Sequence, residues 1–249
     1  MKLPGTTALI TGAGQRLGAA CARALAGAGV TVMIHHDRSK QAALGVCDQI
    51  HQAGGQAFLL AADLADPEQA AALVPRSVAV MGRVDILINN AAIFAAGGLR
   101  DTDLTQWQRH LGINLTAPFL LLQAFARQPH WSHPVDPGVR GKVINILDQR
   151  IRHPRPGHLA YTTAKSALWS VTQMAARELA PTIQVNAIAP GPILAAPEAT
   201  PEQFQRIAAA TPAGRPGTLA EITTTVLFLL QHDYITGDMV SVDGGEHLL

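Results

Sequence analysis

The sequence predicts an α/β protein: a doubly wound, parallel sheet of about seven strands with helices on both faces. Short apolar runs alternate with longer helix-like segments almost to the end of the chain, the trace that successive strand–helix–strand units leave. The runs are unbroken and rich in β-branched residues, which means burial on both faces, as in a parallel sheet covered by helices. At 249 residues the chain fits one large α/β domain better than two small ones, so residues 1–249 read as a single domain.

The elements follow in order. TTALIT (6–11) is a buried strand, and the turn GAGQRLG leads from it into an Ala-rich helix ending near Gly27. VTVMIH (30–35), QAFLLAADL (56–64) and VDILINNA (84–91) read as the second, third and fourth strands. GKVINIL (141–147), IQVNAIAP (183–190) and DMVSVDGG (238–245) complete the set. QPHWSHPVDPGVRG (128–141) is Pro-rich and non-periodic and reads as a solvated surface loop. APGPILAAPEATPEQFQ (189–205) is too Pro-rich for regular structure until its end. It lies after the sixth strand, at the carboxyl edge of the sheet where such folds bind ligands. Residues of about 189–212 are therefore expected to be a substrate loop, either a lid or a plain connector.

Composition removes several function classes. Only 15% of residues are charged and the net charge is +1, which leaves no electrostatic footprint for nucleic acid. Arg150, Arg152 and Arg155 read as a local loop feature. Cys21 and Cys47 have no metal-ligand spacing, so no metal is expected, and two unpaired thiols suit a reducing compartment. MKLPGTTALI has no long apolar segment and no run reaches membrane-spanning length. The expectation is a soluble cytoplasmic protein with no membrane partner.

TGAGQRLG follows a strand and opens a helix, the context in which a glycine motif carries meaning. Gly12 and Gly14 allow a sharp turn, Gly18 allows close helix packing, and free N–H groups at the helix start suit a pyrophosphate. Asp63, after the third strand, can accept a hydrogen bond from an adenine amine. NNAA (89–92) ends the fourth strand with two amides where a cofactor ribose would pass. Asn114 begins an apolar helix-like segment. Tyr161 and Lys165 are one helical turn apart on one face, and an ammonium near a phenol of pKa ~10 favours the phenolate.

With these residues in place the sequence resembles the short-chain dehydrogenase/reductase family nearly end to end. The resemblance covers the glycine turn, NNA, Asn114, the Tyr161–Lys165 pair, PGPI (190–193) and VDGG (242–245). It implies a Rossmann-type domain, a nicotinamide cofactor and a homotetramer. It makes Tyr161 the proton donor, gives Lys165 the tasks of lowering the tyrosine pKa and holding ribose hydroxyls, and gives Asn114 support of a water relay. Cofactor contacts are implied for Leu17, His36, Leu64, Asn90, Ala91, Pro190, Gly191 and Ile193, besides the glycine turn, Asp63, Tyr161 and Lys165.

Two departures narrow the resemblance. Arg16 stands where the family commonly has glycine, and Asp148 stands thirteen residues before Tyr161, where it commonly has serine. Together with HHDRS (35–39) and NNAAIF (89–94) they resemble the pteridine reductase branch, including dihydromonapterin and dihydrofolate reducing enzymes. That branch implies Phe94 stacked on a pterin ring, with Arg16, Asp148, Tyr161 and Leu194 also at the substrate. The chemistry of position 148 points the same way. Ketone reduction builds negative charge on oxygen, which an ionised carboxylate opposes by about 4 kcal/mol at ~4 Å and an effective dielectric near ~20. Reduction of a C=N bond instead requires the nitrogen to gain a proton, and a carboxylate favours that. A protonated Asp148 could donate like serine, which keeps a carbonyl reductase open as the alternative. A non-catalytic dinucleotide sensor is the rival from another class, opposed by the presence of Asn114, Tyr161 and Lys165. Arg16, Arg38 and Ser39 suit the 2′-phosphate of NADPH, whereas Asp37 suits the unphosphorylated ribose of NADH. Two arginines against one aspartate favour NADPH.

Overall fold

The structure is a computed structural model that describes residues 1–132, 140–196 and 199–249. Seven strands form one parallel sheet in the order β3-β2-β1-β4-β5-β6-β7. They are β1 (Thr7–Ile10), β2 (Thr31–His36), β3 (Ala57–Ala61), β4 (Ile86–Asn89), β5 (Gly141–Ile146), β6 (Ile183–Pro190) and β7 (Met239–Val242). Each lies inside or within a residue of the apolar run that announces it. The order reverses between β1 and β4, both neighbours of each other though β2 and β3 come between them in the chain. A crevice at the carboxyl end of such a reversal is where this architecture accepts ligands.

Helices α1 (Arg16–Gly27), α2 (Lys40–Gln52) and α8 (Leu219–Gln231) cover one face. They pack Cys21, Leu25, Val46, Ile222 and Val226 against Ala8, Ile10, Val32 and Ile34. Helices α3 (Pro67–Met81), α5 (Ala117–Ala126) and α6 (Leu159–Leu179) cover the other, with Leu73, Leu121, Phe125 and Ala176 against Leu9, Met33 and Val143. Successive strand residues point to opposite faces, so an unbroken apolar strand feeds both cores. The short α4 (Leu104–Leu111) precedes a single π-helical turn, Gly112–Thr116. Both thiols are free and buried, and burial pushes Cys21 up to about 12.

Two expectations need correction. β3 is an edge strand and is not buried on both faces: Phe58 is 40% exposed. Trp131 is not a solvated loop residue. It is buried, its indole N–H donates to the Phe125 carbonyl at 2.6 Å, and its ring lies 5.3 Å from that of Phe125. A large aromatic with a satisfied polar tip is a core residue even in a Pro-rich stretch; residues 133–139 of that stretch lie outside the described residues. In the expected substrate loop, regular structure returns only at the end of the Pro-rich stretch, as expected, in α7 (Pro201–Ala209). Thr200 and Gln203 form a reciprocal capping box there, with Pro201 at the first helical position, where proline costs nothing.

Candidate active site

A cleft of about 570 Å³ opens at the β1–β4 reversal. Gly12, Arg16, Leu17, Gly18, Arg38, Ser39, Asp63, Leu64, Asn90 and Ala91 line it. The glycine turn is closed by sterics. Gly12 has φ +62°, and a Cβ on Gly18 would sit 2.4 Å from the Gly12 carbonyl and 2.5 Å from Asn90 Nδ2. Asn90 Nδ2 donates to the carbonyls of Thr11 and Gly12 at 2.8 and 3.2 Å, which pins the turn to the end of β4. No side chain caps the start of α1 at Gln15, so the first N–H groups of that helix face the cleft mouth without a competing acceptor. An uncapped helix start behind a glycine turn fits a pyrophosphate, and the cleft fits a dinucleotide.

The structure sorts the residues expected here. Asn89 is not at the cleft; it is buried, and its amide donates to Asn145 Oδ1 at 2.8 Å. Of the two amides only Asn90 serves the turn. His36 is not a lining residue either: it is buried with its Nδ1–H donating to the Asp37 carbonyl at 2.9 Å, and His35 lines the cleft instead. Strand neighbours point to opposite faces, and one step along β2 decides which histidine faces the cleft. Gly14 lies against α2, where a Cβ would meet Ser39 Oγ at 3.0 Å. Pro190 ends β6, and Gly191 approaches Asp243 so closely that a Cβ would lie 2.6 Å from its Cα. Ile193 lines a separate cavity of about 270 Å³ near Asp243, and Leu194 is partly exposed on the loop beyond.

His35 is the residue that sequence reasoning missed. Its Nδ1 accepts from the Gly12 N–H at 3.1 Å and its Nε2–H donates to the Ala62 carbonyl at 3.0 Å. One imidazole thereby ties the glycine turn to the segment that carries Asp63. Burial lowers its pKa to about 4, so the neutral tautomer these two bonds require is the form present at neutral pH. The HHDRS motif marked the place without distinguishing its two rings.

Arg16 occupies the left-handed region at φ +52°, a conformation that costs a non-glycine residue roughly 1 kcal/mol. Its guanidinium donates to the Ala195 carbonyl at 2.7 Å. It bridges from the glycine turn to the loop after β6. Asp37 and Arg38 form an exposed ion pair at 3.5 Å.

Beyond Ile93, the last cleft residue on its segment, Phe94 leads to the acid–base group. Asn114 holds this segment with both ends of its amide, accepting from the Ile93 N–H and donating to the Ile93 carbonyl, each at 2.9 Å. The same segment pairs with the start of α6 through Gly97 N–H to the Gly157 carbonyl at 2.8 Å. The Phe94 ring stacks on His158 at 4.0 Å and meets Tyr161 edge-on at 4.8 Å. One face of that ring is thus occupied by an imidazole of this chain.

Tyr161 Oη donates to Asp148 Oδ2 at 2.9 Å, and Asp148 Oδ1 accepts from the Arg150 N–H at 2.8 Å. Burial raises the Asp148 carboxyl above the usual range, against those two bonds and the charges of Arg150 and Lys165. Burial and the Asp148 charge push Tyr161 well above the ordinary phenol value. Lys165 is buried, donates to the Ile146 carbonyl at 2.6 Å and is lowered to about 8, mainly by burial. The expectation that Lys165 lowers the tyrosine pKa is therefore corrected. Its Nζ lies 5.9 Å from the Tyr161 ring centroid, while an acid touches the phenolic oxygen. Burial first, and then the carboxylate at the phenolic oxygen, set the sign, and the phenol is held in its protonated form.

Among the described residues no cluster of metal ligands occurs and no helix is long and apolar enough to cross a membrane. Residues 12–247 match the family model described as Enoyl-(Acyl carrier protein) reductase. The fold is similar to FolM alternative dihydrofolate reductase 1 from Brucella canis complexed with NADP, at 35% identity and a TM-score of 0.92, covering 100% of this chain and 96% of that one. A 3-oxoacyl-[acyl-carrier-protein] reductase of Synechocystis is 32% identical, with 98% of this chain and 97% of the relative covered. An uncharacterized oxidoreductase of Mycobacterium tuberculosis is 36% identical over 98% of this chain and 93% of its own. Glycine turn, seven-stranded sheet and full-length similarity agree: the chain belongs to the short-chain dehydrogenase/reductase family.

Proposed function

We propose that the protein is an NADPH-dependent reductase of a pterin-like C=N substrate, such as a dihydropterin, dihydromonapterin or dihydrofolate. The observation that carries the reading is the 2.9 Å bond from Tyr161 to Asp148. When bound, the nicotinamide cofactor supplies the hydride. Gly12, Gly18 and the start of α1 hold its pyrophosphate, and Asp63 its adenine. Arg16, Arg38 and Ser39 answer the 2′-phosphate, with the Asp37 charge already met by Arg38. Lys165 holds ribose hydroxyls.

Tyr161 then does the acid chemistry. A phenol held above its ordinary pKa carries its proton at neutral pH, so Tyr161 is in the form that can give that proton to the substrate nitrogen as basicity develops there. Asp148 draws positive charge onto the substrate nitrogen that receives the phenolic proton. After the transfer the phenolate is reprotonated from solvent, and the ionised Asp148 at 2.9 Å favours that return to the phenol. Phe94 packs against the flat heterocycle, with Leu194 at its edge, and Asn114 fixes the Phe94 segment. By family resemblance the assembly is a homotetramer in the cytoplasm, checked by light scattering on the purified protein.

A second reading, a carbonyl reductase, is supported by the Synechocystis relative's name and by the raised Asp148 pKa, since a protonated carboxyl can donate like serine. Steady-state NADPH oxidation against dihydropterins and 3-ketoacyl thioesters separates the two. Turnover confined to ketoacyl substrates refutes the pterin reading.

A further inference from the structure

We propose that Arg150 is a specificity-determining residue that binds an acidic group, carboxylate or phosphate, on the arm of the substrate. The inference rests on the reading that a flat heterocycle packs against Phe94. The backbone of Arg150 is fixed by its N–H bond to Asp148, and its guanidinium carbon lies 5.8 Å from the Phe94 ring centroid. Arg150 is half-buried, yet among the described residues no carboxylate oxygen stands within ion-pair distance of it. The two oxygens of Asp148 are engaged by the Arg150 N–H and the Tyr161 O–H.

Its neighbours sharpen the contrast. Arg155 is already answered by Glu246 at 3.7 Å and by the Leu249 carbonyl at 3.4 Å. His158, stacked on the Phe94 ring, has its pKa lowered by burial and brings no competing charge at neutral pH. Arg152, two residues further along, is exposed and has no carboxylate within ion-pair distance among the described residues. The turn after β5 therefore offers a partly desolvated guanidinium beside the ring surface, with a second one at the rim. Asp148 and Glu246 feel the charge of Arg150, but neither carboxylate comes within ion-pair distance of it, and its planar fork matches carboxylate and phosphate oxygens two at a time. An anion on a substituent leaving the heterocycle completes it.

The test compares three dihydropterins at saturating NADPH: one with a neutral side chain, one with glutamyl carboxylates (dihydrofolate) and one with a phosphate ester. Wild type, Arg150→Ala and Arg150→Lys are measured, with NADPH fluorescence titration reporting the fold of each variant. Wild type should prefer an acidic substrate in kcat/KM, and that preference should shrink as salt is raised. Arg150→Ala should lower the acidic-to-neutral ratio by roughly tenfold or more through KM, with partial rescue by Arg150→Lys. Whichever acidic substrate loses its advantage identifies carboxylate or phosphate as the group read. An unchanged ratio overturns the proposal. So does an equal loss on all three substrates with a displaced pH profile, which would mean that Arg150 acts through Asp148. Failure of wild type to turn over any dihydropterin instead refutes the heterocycle reading, and this proposal with it.

Discussion

Tyr161 Oη lies 2.9 Å from Asp148 Oδ2 and donates to it, while Lys165 Nζ donates elsewhere, to the Ile146 carbonyl. The pair is organised as an acid backed by a carboxylate, and the ammonium that would make a phenolate is not the phenol's partner. The consequences for pH, cofactor affinity and stability can each be measured.

The basic limb of the pH–rate profile should report Lys165 and not Tyr161. Burial lowers Lys165 to about 8, so its charge is present below that pH and lost above it; Tyr161 is held well above the ordinary phenol value. Reduction is expected to fall as pH rises through about 8. A limb that starts only above 10 would assign it to the tyrosine.

Arg16→Ala should weaken NADPH more than it weakens the chemical step. It removes a guanidinium at the cleft and its 2.7 Å bond to the Ala195 carbonyl, and loss of one charge-assisted contact is worth roughly tenfold in affinity. Fluorescence titration of NADPH reads the change, and an unaltered Kd would remove Arg16 from the cofactor site.

His35→Leu should leave the buried Gly12 N–H and Ala62 carbonyl without partners, a loss of roughly 1–3 kcal/mol on urea denaturation. The wild-type pH dependence follows from the same residue. Its folded pKa of about 4 lies below the ordinary 6.5, so the unfolded chain binds the proton first. The corresponding stability, roughly 3 kcal/mol, is fully present above 6.5 and is lost as pH falls from there through 4. Denaturation at pH 7 and pH 4.5 should show this slope in wild type and its reduction in His35→Leu.

Trp131→Ala should cost about 3–5 kcal/mol, because the ring is buried against Phe125 and its N–H bond is satisfied. A change under 1 kcal/mol would mean that the ring is in solvent, as the Pro-rich sequence around it suggests.

These cases show what the sequence could and could not convey. Period and β-branching are local, so all seven strands were legible, as were the glycine turn before α1 and the Tyr161–Lys165 pair one turn apart. Asp148 was legible as an anomaly because its offset from Tyr161 is fixed in the chain. The rest depends on partners distant in sequence. Asn89 and Asn90 look alike until Asn145 claims one and the Gly12 carbonyl the other. His35 and His36 differ only by the pleat of β2. The sign of the Tyr161 shift depends on burial and on the carboxylate at its oxygen, and spacing along α6 places Lys165 on the right face without conveying either. The burial of Trp131 is invisible in the sequence because proline content describes backbone irregularity and says nothing about burial.

The most direct test of the central claim is the activity of wild type and Asp148→Ser against a dihydropterin and a ketone, with NADPH oxidation followed for both. The account predicts dihydropterin turnover by wild type, a loss of roughly 100-fold or more in Asp148→Ser, and a gain of ketone reduction in the same variant. Wild type that reduces only the ketone, with Asp148→Ser leaving that activity unchanged or lower, would contradict it.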